Sequence, residues 1–372
     1  MKIRPLEESD REQAHRLSML AFGGDLSAPV STDPPPAGPY LGAFDDAGRL
    51  VAKARSRPYD QWWGGRPVPM AGIAGVAVQP EHRGQGLVRT LMDELLHLAE
   101  APISSLFPTA PSIYRPLDWE VVGTLDSTPI PLAALPTRTE GAAVRAATEQ
   151  DLPAIETLYD ARAKGSAGFL SRKGPSFPAG VKGILELDVV TVVVEDDVVT
   201  GYASYSRGRG YRGGSVMTLW DCITTSPHAL RALLAGLGGW SAVAEAVTWR
   251  GSTDDLALFV NRSLPAVEQA QPWMLRVVDA VAAVAARGFA LGTTNASFVV
   301  SGTGYRLEVA NGRGELAVVP GEGLPVVHPR GLALLYAGVA AGRLSRTGLA
   351  DRELPELEEA FRGPQPEILD YF

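Results

Sequence analysis

Residues 75–92 read GVAVQPEHRGQGLVRTLM, and the reading of this stretch decides the fold. Val76, Ala77 and Val78 form an apolar run that reads as the end of a buried strand. Pro80 interrupts it. Gly84 and Gly86 follow, and from about Gln85 onward Leu87, Leu91, Leu95 and Leu98 recur at helical spacing. A glycine at a helix entry lets backbone amides approach a ligand closely. The first turn of a helix carries unpaired N–H groups and the positive end of the helix dipole, so it attracts anions. Arg83 adds a cation at the same point. The expectation is a strand–cradle–helix unit that holds a pyrophosphate; an ordinary strand-to-helix turn with a surface arginine fits the spacing equally well.

Composition narrows the class around that unit. A chain of 372 residues suggests two or three domains. Hydrophobic residues make up 45% and charged residues 20%, as in ordinary globular proteins. No apolar run reaches the roughly 18 residues of a membrane span, and MKIRPLEESD lacks a signal-peptide core. A cytoplasmic protein is expected. The single cysteine, Cys222, excludes an internal disulfide and a cysteine-rich metal site, and it reads as a core residue. The five histidines show no metal spacing; His82 is expected to face solvent. A formal charge of -8 argues against a general nucleic-acid binder.

Outward from the opening stretch, residues 1–140 alternate helix and strand. A strand over 1–5 precedes a helix capped by Ser9 or Asp10 and running to about Phe22, with Ala14, Leu17, Leu20 and Ala21 apolar. A Pro/Gly-rich loop follows, then strands near 40–44 and 50–57, the strand MAGIAGVAV, the leucine helix and the strand ISSLFPT. A second alternating segment over 141–272 opens with AVRAATEQDLPAIETLYDARA, whose strand, acidic turn and amphipathic helix resemble IRPLEESDREQAHRLSMLAF. That is a weak internal repeat. Residues 273–372 hold the segment PWMLRVVDAVAAVAARGF, a hairpin-rich stretch and closing helices. GRGYRG at 208–213 matches G-x-G-x-x-G but lies between two strand-like runs and reads as a hairpin turn. The strand–helix junction CITTSPHALRALL lacks the Arg-Gly-x-Gly of the first and is not expected to bind a second anion.

Strand, V-x-P-x-x-R-G-x-G-L, amphipathic helix resembles motif A of the GNAT acetyltransferase superfamily, whose glycine-rich loop holds the pyrophosphate of acyl-coenzyme A. The chain departs from the Q/R-x-x-G-x-G/A pattern at Val88. The same departure occurs in the enhanced-intracellular-survival (Eis) acetyltransferases, and TAPSIYRPLDWEVVG, the W-x-x-R-x-V-D segment at Trp273 and the terminal aromatic Phe372 are similar to that family too. The resemblance implies an α/β (α+β) chain of tandem GNAT folds, the second degenerate, followed by a sterol-carrier-protein-like α+β domain. It implies an acetyl-coenzyme A-dependent N-acetyltransferase without a metal, acting on amines of a cationic, aminoglycoside-like small molecule or a lysine-bearing acceptor, and assembled as a homo-hexamer of trimer pairs.

By the same resemblance, Tyr114 is the general acid and the main-chain carboxylate of Phe372 the general base. Val76, Ala77, Val78, Arg83, Gly84, Gln85, Gly86, Leu87, Val88, Arg89, Thr109 and Ala110 hold the coenzyme. Phe22, Asp25, Trp62 and Asp370 line the acceptor pocket. On the residues alone, Tyr114 reads as a packing tyrosine beside Trp119, Asp25 and Asp370 as solvated surface carboxylates, and the chain end as a frayed terminus, although its apolar last residue favours docking. A hydrophobic-ligand binder with a vestigial transferase site and a transferase using a longer acyl donor are the alternatives; intact motif A and Tyr114 favour acetyl transfer.

Overall fold

In the computed structural model, which describes residues 1–31, 36–137, 143–210, 214–260, 263–340 and 342–372, the chain opens with β1 (Lys2–Pro5) and α1 (Arg11–Phe22). Then come β2 (Tyr40–Phe44), β3 (Leu50–Trp63), β4 (Arg66–Val78), α2 (Leu87–Ala99), β5 (Ile103–Leu106), α3 (Pro111–Tyr114) and β6 (Glu120–Pro131). The first helix starts where Arg4 reaches forward: its guanidinium donates to the Asp10 carboxylate at 2.9 Å, which also accepts the Glu7 N–H at 2.9 Å. Neither Ser9 nor Asp10 caps the helix through its side chain. Ala14 and Leu17 are buried, whereas Leu20 and Phe22 are exposed. On α2 the buried face is Leu87, Leu91, Met92, Leu95 and Leu96; Leu98, expected on it, is exposed.

The central unit repeats this opening. It comprises β7 (Ala143–Ala146), α4 (Leu152–Lys164), β8 (Val189–Glu195), β9 (Val198–Ser206), β10 (Val216–Thr224), α5 (Pro227–Gly238), β11 (Ala246–Arg250) and α6 (Asp254–Ala257). Arg145 donates to Asp151 at 2.7 Å, and Asp151 accepts the Thr148 N–H at 2.8 Å. The Arg-x5-Asp pair is therefore one local device used twice: a buried carboxylate fixes the turn and each guanidinium neutralises it. Cys222 is half-buried at the edge of this unit's core. The GRGYRG turn reading lies partly outside the described residues, as does the boundary at 140/141.

One twelve-stranded sheet runs through both units in the order β1-β2-β3-β4-β5-β12-β6-β11-β10-β9-β8-β7, where β12 is Gln269–Val277. The two units exchange strands. β6, from the first, pairs along Ser127–Pro131 with β11 of the second; β12, which ends the second, inserts between β5 and β6 of the first. A boundary at 272/273 thus falls inside a strand, and PWMLRVV is that strand rather than a linker. Trp273, Met274 and Leu275 are all fully buried, because a strand at the centre of a sheet is covered on both faces and shows no alternation.

The last unit holds α7 (Ala280–Ala286), a four-stranded sheet of β13 (Thr294–Val300), β14 (Thr303–Ala310), β15 (Arg313–Val319) and β16 (Val326–Val327), and α8 (Pro329–Tyr336), α9 (Arg343–Arg346) and α10 (Pro355–Ala360). Its core is continuous with that of the first unit. Trp63 lies 6.1 Å from Trp273 and 5.5 Å from Tyr336, ring centre to ring centre. As neighbours on β3 must, Trp62 and Trp63 face opposite ways: Trp63 enters this core, and Trp62 packs on the cluster of Ile155, Tyr159 and Phe169 in the central unit.

Candidate active site

β4 and β5 pair in parallel only from Met70↔Ile103 to Ile73↔Leu106. Beyond that point they part, leaving Ala74–Val78 without a partner on the β5 side. On the β3 side the register shifts between Lys53↔Ala77 and Arg55↔Ala74. Gly75, at φ 61°, sits in this bulge, which re-aims the backbone at Val76. The strand then runs into a short turn at Pro80–His82 and into α2, whose N-cap is Gly86. Gly84 and Gly86 both have φ 77°, and a Cβ on either would meet nothing. Glycine is required there for its backbone conformation, not for space. The helix opens at Leu87, two residues later than the sequence suggests.

A cavity of about 580 Å³, within the size range of small-molecule sites, lies in this fork, lined by Val76, Ala77, Val78, Arg83, Gly84, Gln85, Gly86, Leu87, Val88, Thr109 and Tyr114, with Phe22 at its edge. The loop after β5 brings Tyr114 to the same cavity. Tyr114 is 6% exposed and packs edge-on against Trp119 at 6.4 Å. Burial, with the neighbouring Tyr371 hydroxyl, pushes its phenol up to about 12. The group is a protonated donor at neutral pH. The next residues hold it in place: Arg115 donates to the buried Glu120 carboxylate at 3.0 Å, and Arg330 of α8 donates to the same group at 2.8 Å.

The chain end reaches the fork from the other side. Residues 366–372 are strapped across the central unit. The Glu367 N–H donates to the Ala167 carbonyl at 2.8 Å, Arg162 to the Glu367 carboxylate at 2.8 Å, and Arg250 to the Leu369 carbonyl at 2.9 Å. Asp370 accepts from the Arg172 guanidinium at 3.0 Å and from the Tyr159 hydroxyl at 3.2 Å. The strap lies against glycines at which a Cβ would collide with it: Gly168 at 2.8 Å from the Glu367 carbonyl oxygen, and Gly72 at 3.1 Å from the Phe372 ring. Phe372 is 9% exposed, its ring 5.0 Å from Tyr59 and 5.3 Å from Phe107. Gly72 pairs with Ser105 one residue before β4 and β5 part, so the terminus sits at the closed end of the fork.

Several expected residues lie elsewhere. Trp62 packs between units and lines none of these cavities. Arg89 points away and donates to the Pro116 carbonyl at 2.8 Å; Ala110 is the N-cap of α3 and is not part of the cavity wall. Asp25 closes a turn by accepting from the Ser27 N–H at 2.8 Å, and this hydrogen bonding holds it below the usual carboxylate range. Asp370 is committed to Arg172 and faces a different cavity. His82, expected in solvent, is half-buried in the wall, its Nδ1 without a protein partner. A lone histidine in a turn gives no periodic signal by which to place it.

The Asp370 geometry separates two roles. Asp370→Ala should lower kcat about tenfold or more with the acceptor KM nearly unchanged, since a misplacement of about 1 Å at a reacting group costs up to about 10²-fold. Arg172 keeps Asp221, at 2.6 Å, so the fold should survive, as a thermal melt would show. A rise in acceptor KM alone would return Asp370 to substrate binding.

Among the described residues, no helix is long and apolar enough to cross a membrane, and no group of three or more His, Cys, Asp or Glu side chains is placed to hold a metal ion. A family described as acetyltransferase (GNAT) domain matches residues 2–122, and a second so described matches residues 171–277. No curated protein matches the chain. Among solved structures it resembles a GCN5-related N-acetyltransferase from Kribbella flavida at 28% identity and TM-score 0.83, over 100% of this chain and 98% of that one. One from Anabaena variabilis shares its fold at 24% identity and TM-score 0.86, and Eis1 from Mycobacterium abscessus does so at 21% and 0.74, each over the full length of both chains.

Proposed function

The chain belongs to the GNAT acetyltransferases, and from that premise we propose that it transfers the acetyl group of acetyl-coenzyme A to an amine of a small cationic, aminoglycoside-like molecule or of a lysine-bearing acceptor. One observation carries this reading: a buried, protonated tyrosine and a glycine-conformed helix entry face one cavity.

The backbone N–H groups from Gly84 to Val88, with Arg83, hold the pyrophosphate at the start of α2. The parted edge of β4 offers Val76, Ala77 and Val78 to the pantetheine arm, and an N–H near the bulge polarises the thioester carbonyl. Thr109 closes the opposite wall, with Ala110 behind it. The coenzyme supplies the activated acetyl group. The carboxylate of Phe372, ionised above a pKa of about 3.5, takes the proton of the attacking amine through water, and Tyr114 gives its proton to the departing thiolate. Phe22, at the cavity's edge, receives the acceptor, and Asp25, in the turn three residues on, would draw its cationic groups towards it from outside the cavity wall. By likeness to the Eis acetyltransferases the reading extends to a cytoplasmic homo-hexamer, with units near 1–140, 141–272 and a sterol-carrier-like 273–372.

Calorimetry with acetyl-coenzyme A should give one site per chain, because α5 opens at Ser226–Pro227 with an ordinary serine cap rather than a glycine cradle. Two equal sites would overturn the assignment. The reading as a whole is tested by following thiol release across a panel of aminoglycosides, polyamines and lysine peptides. Coenzyme binding with no turnover on any amine would sink it.

A further inference from the structure

The central unit holds a second cavity that shares no lining residue with the first. It has a volume of about 420 Å³ and lies between α4, residues 171–187 and the faces of β9 and β10, within the size range of small-molecule sites. Tyr159, Phe177, Tyr202 and Trp220 supply aromatic walls. Its charges do not balance. Inside, Asp221 and Asp370 share the guanidinium of Arg172, at 2.6 and 3.0 Å. At the mouth, Glu156 and Asp160 share the single ammonium of Lys173, at 3.2 and 2.6 Å. A third cation, Arg250, stacks on Trp220 at 4.7 Å and interacts with both Asp221 and Asp370, so four carboxylates facing three cations leave one negative charge. Two lining atoms are also unmatched: Ser204, fully buried, has an Oγ without a partner, and Asp160 has a buried Oδ1 without one.

We propose that this cavity binds an organic ammonium ion carrying an aromatic or apolar body. Aromatic faces attract cations, and an ammonium N–H can donate to the unmatched acceptors, which is stronger between charged partners than neutral ones. The surplus negative charge disfavours an anion, since both basic side chains that line the cavity already have carboxylate partners. The site is not a second transferase centre, because α5 offers no anion cradle for a second acyl donor. One wall, Asp370, belongs to the strap that carries Phe372 to the fork, so the occupant contacts the segment that positions the chain end.

The test uses phenethylamine and its neutral counterpart 2-phenylethanol, titrated into the full chain without coenzyme and followed by ligand-observed NMR. The amine should bind saturably at millimolar concentration and at least about tenfold more tightly than the alcohol, the ratio expected of a cation–aromatic contribution near 1–2 kcal/mol. Asp160→Asn should weaken the amine about tenfold. Ala179→Trp, at the exposed mouth, should block it, with the thermal shift by acetyl-coenzyme A retained in both variants. No saturable binding to the unmodified protein, equal binding of amine and alcohol, or amine binding unchanged in Asp160→Asn would overturn the proposal. Binding that survives Ala179→Trp would overturn it too, by placing the amine in the first unit's fork.

Discussion

Tyr114→Phe should lower kcat by roughly 10²- to 10⁴-fold, the usual worth of a positioned general acid, while the KM for acetyl-coenzyme A stays within about twofold. The hydroxyl is asked to act only as the thiolate leaves, so its loss belongs to the chemical step. The ring is a separate matter: it packs on Trp119, and phenylalanine keeps that contact, so the melting temperature should barely move. The pH profile gives an independent reading. Burial raises the phenol to about 12, and the protonated form is the donor. Raising that pKa extends the donor form upward, so activity should climb as the acceptor amine loses its proton and show no fall from Tyr114 until near pH 12. A Tyr114→Phe enzyme with near-normal kcat would leave Tyr114 as packing alone.

What the sequence disclosed, and what it hid, follows from the range of the interactions. The cradle was legible because its parts are local: Val76 to Leu87 need only their own backbone conformations and one helix entry. The repeat was legible for the same reason, since Arg4 with Asp10 and Arg145 with Asp151 are partners six residues apart. The strand exchange was not. β12 lies beside β5 and β6, strands more than a hundred residues earlier, and its unbroken Trp-Met-Leu run carries no alternation. Trp62 and Asp370 misled for a related reason. Their residue types suit a pocket, but which pocket each faces is set by contacts with the central unit, and the Arg172 that claims Asp370 stands 198 residues away.

A C-terminal affinity tag should cut turnover by roughly 10²- to 10⁴-fold, although it removes no side chain. The tag turns the main-chain carboxylate of Phe372 into an amide, which cannot take a proton. Removing Phe372 should be about as damaging. The new carboxylate, on Tyr371, would sit roughly 3.5 Å back along the chain, far more than the 1 Å or so a reacting group tolerates. Phe372→Ala should be milder. The carboxylate survives, and residues 366–370 remain strapped by Arg162, Arg250 and Arg172; only the ring's anchorage on Tyr59 and Phe107 is lost. The order of activities is therefore the discriminating result: the N-terminally tagged control first, then Phe372→Ala, then the C-terminally tagged and truncated proteins together at the bottom. Steady-state acetylation measures it, with thermal melts to show that all four are folded. A model in which the tail matters only as packing gives a different order, because Phe372→Ala would then be as poor as the truncation and the tagged protein, whose ring is intact, would be nearly normal. A folded, C-terminally tagged enzyme with full turnover would remove the carboxylate from the mechanism, and Asp25, an ionised carboxylate in the turn three residues after Phe22 of the cavity edge, would be the next base to test.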